Sequence, residues 1–177
     1  MTTLLVVHHS PSRSVRRLTE AVLAGANFAD EDVTDLADEL ADFEVRELEA
    51  LAFARGEADH ADLLAADGYL LITPANFGAM SGALKHVFDS TFLQIGGALA
   101  ADGSADSSSG STKGRPFGLL VHGRYDTAGA VRQVLGITTA LGWEQAHQVV
   151  ELLGDVDDEA TAAAYQLGGT LAALLLG

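Results

Sequence analysis

The chain has 177 residues, 48% of them hydrophobic, with 25 acidic against 10 basic side chains and a formal charge of −15. That length suits one domain with a substantial core, and the acidic balance argues against nucleic acid or an anionic membrane as partner, because both select a basic face. Cysteine is absent, which excludes disulfides, thiol catalysis, iron–sulfur clusters and cysteine-ligated zinc.

Taken in order, Thr3-Leu4-Leu5-Val6-Val7 is a continuous apolar run, the pattern of a central parallel strand buried on both faces. His8 to Arg13 read as a turn, and Ser14 is placed to cap a helix carrying Val15, Leu18 and Val22 on one face, with Gly25 as its stop. Residues 30–42 are acidic and read as either loop or short helix. Phe43 to Leu48 alternate, as a more exposed second strand does. Asp59 to Ala66 read as a short helix leading into the buried strand Tyr69 to Thr73. Leu84, Val87, Phe88 and Phe92 then trace a helical face. Gly103 to Lys113 is rich in Gly, Ser and Asp and reads as a mobile loop, at about 102–114.

Phe117 to Val121 form another buried-strand run. A helix follows through Val131, Val134, Leu135, Thr138 and Leu141, and Gln148-Val149-Val150 begin or lie within a last strand. Asp157 is placed to cap a final helix with Ala160, Ala164, Leu167, Leu171 and Leu174 on one side. Strand and helix alternate about five times, which predicts an α/β fold with a doubly wound parallel sheet, as a single domain over 1–177. The chain shows no membrane-spanning apolar run and no signal-peptide pattern, so the expected location is the cytoplasm.

Three turns carry residues with chemical potential. The first, after the opening strand, holds Ser10, Ser12, Arg13, Ser14 and Val15. Hydroxyls, a guanidinium and the N–H groups of a helix start form the donor set a phosphate monoester needs. The same serines also serve simply as caps. No glycine pattern of a dinucleotide fingerprint or a P-loop is present, so the turn points to a mononucleotide phosphate.

The second turn, Pro74-Ala75-Asn76-Phe77-Gly78-Ala79-Met80-Ser81-Gly82, joins the Tyr69 strand to a helix. Gly78 and Gly82 let backbone approach a flat ligand, and Phe77 and Met80 offer apolar contact or, alternatively, fill the core. The third, His122-Gly123-Arg124-Tyr125-Asp126-Thr127, is either an ordinary polar turn or a further wall of the same site. In a doubly wound sheet such turns converge where strand order reverses. No metal spacing and no nucleophile elbow is found, and no catalytic carboxylate pair stands out.

The string Pro74 to Gly82, with the segments Leu4 to Ser14 and Lys113 to Trp143, resembles the flavodoxin-like NAD(P)H-dependent FMN reductases and NAD(P)H:quinone oxidoreductases, in their tryptophan-repressor-binding-protein-like branch. The resemblance implies a five-stranded sheet of order 2-1-3-4-5. It implies FMN, with the phosphate at Ser10, Ser12, Arg13, Ser14 and Val15. The ring and ribityl chain would lie along Pro74, Ala75, Asn76, Phe77, Gly78 and Met80. The ring's pyrimidine side would face His122, Gly123, Arg124, Tyr125, Asp126 and Thr127. It implies NAD(P)H as co-substrate, a quinone or similar small electron acceptor, no side-chain acid or base, and a homodimer or homotetramer. Pro11 and Arg13 stand where that branch has tyrosine and glycine. A non-enzymatic FMN electron carrier is the alternative, and a relative that binds without flavin is a third.

Overall fold

The computed structural model describes residues 1–28, 40–96, 98–99, 105–106 and 110–177. Most of the 30–42 segment and most of the expected mobile loop lie outside the described residues.

The architecture is the expected one. β1 (Thr2–His8), β2 (Phe43–Glu49), β3 (Gly68–Asn76) and β7 (Pro116–Gly123) form a parallel sheet in the order β2-β1-β3-β7. The fifth position is shared by two short strands. β8 (Glu144–Gln145) pairs with the start of β7, and β9 (Val150–Leu153) pairs with its end. The expected last strand is therefore broken, with Val150 opposite Leu120. Two short antiparallel pairs are added: β4 (Ala79–Met80) on β3, and β5 (Ala98–Leu99) with β6 (Ala105–Asp106).

β1 sits between two partners, with Leu4 opposite Val45 on one side and Gly68 on the other. Alternation along the strands sends successive side chains to opposite faces. Leu4, Val6, Leu70, Ile72 and Leu120 pack under α1 (Arg13–Ala26) and α6 (Asp158–Leu176). Leu5, Val7, Tyr69, Leu71, Leu119 and Val121 face α2 (Leu51–Arg55), α3 (His60–Ala65), α4 (Gly82–Ile95) and α5 (Ala128–Ala140). No helix among the described residues is long and apolar enough to cross a membrane.

Three sequence expectations are corrected. The cap of α1 is Ser12, whose Oγ accepts the Val15 N–H at 3.3 Å, and Ser14 lies inside the first turn. Gly25 does not stop α1, which continues to Ala26 with Asn27 as its C-cap. A Cβ on Gly25 would stand 2.0 Å from the Tyr165 carbonyl oxygen, and one on Gly168 would stand 2.1 Å from that of Val22. The two helices therefore cross backbone against backbone. Leu174, expected on the buried side of α6, is exposed.

This crossing gives a signed prediction. Gly168→Ala must push one helix off the other. Overpacking costs about 1–3 kcal/mol, here towards the upper end because the obstacle is backbone, and the better helix propensity of alanine returns about 1 kcal/mol. A net loss of about 1–2 kcal/mol is expected in urea unfolding. Gly169→Ala, whose Cβ would meet the Gly25 oxygen at an ordinary 3.5 Å, should hold or raise the midpoint.

Candidate functional site at the carboxyl ends of the strands

Because the central strands are parallel, β1, β3 and β7 all discharge their loops at one end of the sheet. His9 N–H still bonds Ile72 O at 3.0 Å, and Pro74 lies opposite His122, so the three exits are neighbours.

The first loop ends in an open helix start. Val15 N–H is taken by Ser12, and Arg16 N–H bonds Ser12 O at 3.0 Å. The first-turn N–H groups of Arg13 and Ser14 have no intrahelical acceptor. Arg13 is exposed, and neither Arg13 nor Arg16 has a carboxylate partner among the described residues. Arg13 and the open N–H groups give the first loop a donor set suited to an anion, whereas Arg16 shares its cleft with Glu20, Glu47 and Glu49. Val15 contributes only backbone, since its side chain is buried in the core.

The second loop is a hairpin. Ala75 pairs with Met80 and Asn76 with Ala79, leaving Phe77 and Gly78 at the tip. Both tip residues have positive φ, 52° and 78°, as a two-residue primed turn requires. Phenylalanine in this region is strained. The base is fastened: Met80 N–H donates to Gln133 Oε1 at 3.0 Å, Ser81 N–H donates to Thr73 Oγ1 at 3.0 Å, and Ser81 Oγ caps α4 by accepting Leu84 N–H at 3.1 Å. Phe77 is fully exposed, whereas Met80 is buried in the core. Pro74 is buried and Asn76 exposed.

The third loop braces itself. Asp126 Oδ1 accepts Ala128 N–H at 3.0 Å, Thr127 Oγ1 donates to Glu151 Oε2 at 2.7 Å, and Arg124 meets Asp155 Oδ1 at 2.5 Å. His122 is turned to the Gly154 carbonyl, 2.9 Å away. A Cβ on Gly123 would lie 2.6 Å from Asp126 O, so the loop closes tightly on its own strand end. Tyr125 projects into solvent.

Of the residues singled out from sequence, Ala75, Phe77, Gly78, Arg124, Tyr125 and Asp126 line one cleft of about 440 Å³. Ser10 lines a neighbouring cleft of about 320 Å³ with His8, Arg16, Thr19, Glu20, Glu47 and Glu49. The side chains of Met80, Val15, His122 and Thr127 are committed to the fold. A groove of about 460 Å³ between α1 and α6, lined by Ala21, Ala24 and Tyr165 among others, lies away from the strand ends. No metal-binding group of His, Asp and Glu occurs among the described residues.

Sequence reading missed the second cleft's chemistry. His8 Nε2 lies 3.0 Å from Glu47 Oε1, and His8 Nδ1 lies 2.9 Å from Ser10 Oγ, which lies 2.8 Å from Thr19 Oγ1. His9 Nδ1 is buried without a hydrogen bond, and Glu49 Oε1 stands 3.5 Å off. The available signal was the parallel register, which sets His8 and His9 beside the alternating acids of β2. Burial lowers the pKa of His8 below its ordinary value, against the opposing pull of Glu47 and Glu49.

The open N–H groups and guanidinium of the first loop, and the cleft of about 440 Å³ between the second and third loops, are a donor set and an apolar surface of the kinds FMN calls for. A flavodoxin-like-fold family model matches residues 1–135, and the chain belongs to that family. A search of curated protein sequences finds no match. Solved structures share the fold at low identity. An archaeal flavodoxin is 12% identical with a TM-score of 0.72, covering 99% of this chain and 100% of its own. A WrbA-like flavodoxin from Agrobacterium tumefaciens is 15% identical with a TM-score of 0.67, over 99% and 98%. A flavodoxin from Streptococcus pneumoniae is 16% identical with a TM-score of 0.67, over 98% and 99%.

The lowered pKa of His8 has a consequence for stability. An unfolded histidine takes up a proton near about pH 6.5, whereas folded His8 resists it to lower pH. Its contribution is thus intact above that pH and is lost as pH falls through the folded pKa. Urea midpoints measured down the acid limb should fall more steeply for the wild type than for His8→Gln. Parallel curves would show that His8 is not held neutral.

Proposed function

We propose that this protein is an FMN-dependent oxidoreductase that passes hydride or electrons from NAD(P)H to a quinone or similar small acceptor. The observation that carries this reading is the slot between the Phe77–Gly78 tip and the Arg124–Asp126 loop, at the end of the sheet where the loop leading to α1 also leaves. Such a slot can clamp one end of a planar ring system and leave a face open to a second planar reactant.

FMN, when bound, supplies a two-electron centre able to exchange hydride and electrons with small partners. The chain's own residues bind and orient it. Arg13, Ser14 and the first-turn N–H groups hold the phosphate, with Ser12 keeping the helix start in shape. The backbone of Ala75 to Gly78 borders the ring, and the absence of a side chain at Gly78 keeps its approach clear. Phe77 and Tyr125 border the slot as exposed aromatic side chains. A homodimer or homotetramer, in which a second copy finishes the pocket, belongs to this reading.

The electron-carrier reading has its own support in the flavodoxins among the structural neighbours and in a charge of −15 suited to docking on a basic redox partner. Anaerobic mixing separates the two. NADPH or NADH should bleach the flavin rapidly, and a simple benzoquinone should restore the colour. Gly78→Trp should slow that reduction more than it weakens FMN binding. Failure of both nicotinamides at millimolar concentration would hand the function to the carrier reading.

The phosphate assignment is tested separately. Arg13→Ala combined with Ser14→Ala removes donors to a charged acceptor, each worth roughly 1.5–3 kcal/mol. FMN affinity should drop at least about tenfold, with riboflavin affinity nearly unchanged, by fluorescence titration. Equal losses for the two ligands would sink the assignment.

A further inference from the structure

The hairpin that walls the slot is fastened at both its apex and its base to one helix, α5. At the apex, Gly78 O lies against the first turn of the helix: a Cβ at Gly129 would stand 2.0 Å from that oxygen and 3.2 Å from the Gly78 carbonyl carbon. Gly129 is helical, so its missing side chain serves the approach of the hairpin and not its own backbone angles. At the base, Gln133 Oε1 takes the Met80 N–H at 3.0 Å. Residues 129 and 133 are four apart and so share one face of the helix. Met80 itself belongs to the same core cluster as Ala130 and Val134 of α5. The apex is where the hairpin is least at ease, because Phe77 has φ 52°, a conformation that persists in such a residue only where its neighbours hold it. Across the slot, the place of a Gly78 side chain lies 3.4 Å from Asp126 Oδ2, while Asp126 Oδ1 accepts the N–H of Ala128, the first residue of α5. Both walls of the slot thus take their position from the same helix start.

We propose that Gly129 and Gln133 are positioning residues for the slot: together they seat the Phe77–Gly78 tip on α5 and so fix the spacing between the tip and the Arg124–Asp126 loop in which the ring system is held. This rests on the FMN reading above and adds to it two residues that act through the hairpin and not on the ligand. Filling Gly129 differs in kind from filling Gly168. At Gly168 two long helices have to part. At Gly129 one partner is a two-residue turn at the surface, which gives way while α5, a better helix with alanine, stays where it is. Gln133 is exposed, so replacing its amide releases the base of the hairpin without opening a cavity in the core.

Gly129→Ala, Gln133→Leu and Gln133→Glu, which keeps an acceptor for Met80 N–H, should be compared with the wild-type chain in three measurements. In ligand-free protein, chymotrypsin cleavage after Phe77 should speed up at least about fivefold in Gly129→Ala and Gln133→Leu, while cleavage after Tyr125, exposed on the other wall, keeps its wild-type rate. Urea midpoints should stay at the wild-type value. FMN and riboflavin affinities, by fluorescence titration, should fall together by at least about fivefold, because the ring and not the phosphate has lost its place. Gln133→Glu should match the wild type in all three. Unchanged cleavage after Phe77 in both Gly129→Ala and Gln133→Leu would overturn the seat. Faster cleavage with unaltered flavin affinities would overturn the positioning role and leave the FMN reading standing. So would a loss confined to FMN, which belongs to the phosphate loop, or a loss that tracks a lowered urea midpoint, which belongs to the fold at large. No flavin binding by the wild type would overturn both readings. If Gly129→Ala does not fold, Gln133→Leu and its Gln133→Glu counterpart decide alone.

Discussion

Everything in this molecule hangs on β1 being buried on both faces and hydrogen-bonded on both edges. Leu4, Leu5, Val6 and Val7 are fully buried, and no other arrangement hides four consecutive large apolar side chains of an extended segment as completely. A strand with two parallel neighbours forces crossover connections, which puts helices on both faces and all loops that follow the strands at one end. The site is a by-product of that constraint. His8 and His9, the last residues before the first loop, are held by Ile72 on one side and face the acids of β2 on the other because the register leaves them nowhere else.

The same rule explains how far the sequence could be read. The buried strands announced themselves as apolar runs, and β2 by its alternation. Asp157 was legible as a cap because it starts a periodic segment after an extended one, while Asp59, read only as the start of a short helix, also caps it. Ser12 was confused with Ser14 because either spacing satisfies the local pattern, and only the backbone angles choose. Gly25 looked like a stop because a glycine at the end of a periodic run usually is one. Its real role depends on Tyr165 and Gly168, more than a hundred residues away. The split of the last strand into β8 and β9 is likewise a tertiary outcome.

At the site, residues whose role depends on backbone were legible and those whose role depends on partners were not. Gly78 was expected to let a ligand come close, and it sits at the exposed tip. Met80, two residues on, points into the core because the hairpin reverses the chain and restores the alternation of β3. Phe77 takes a conformation glycine would take for free, and three hydrogen bonds at the hairpin's base hold it there. The Glu47–His8–Ser10–Thr19 chain draws one residue from each of β2, β1, the first loop and α1, so no local pattern could have revealed it.

The stretch between α4 and β7 is closed off by its own neck. Thr112 donates both its N–H and its hydroxyl to Ile95 O, at 3.2 and 2.8 Å, and receives Trp143 Nε1–H at 2.7 Å. Trp143 stacks on Tyr69 with ring centroids 3.9 Å apart. Gly96 and Gly110 meet so closely that a Cβ on Gly96 would stand 2.4 Å from the Gly110 Cα. With both ends pinned to the sheet's core, chain added between 96 and 110 pays only for loop closure, about 0.6 kcal/mol for each doubling in length. The neck itself, Gly96 against Gly110 and Thr112 on Ile95, thus ties this segment to the central strands without entering their register.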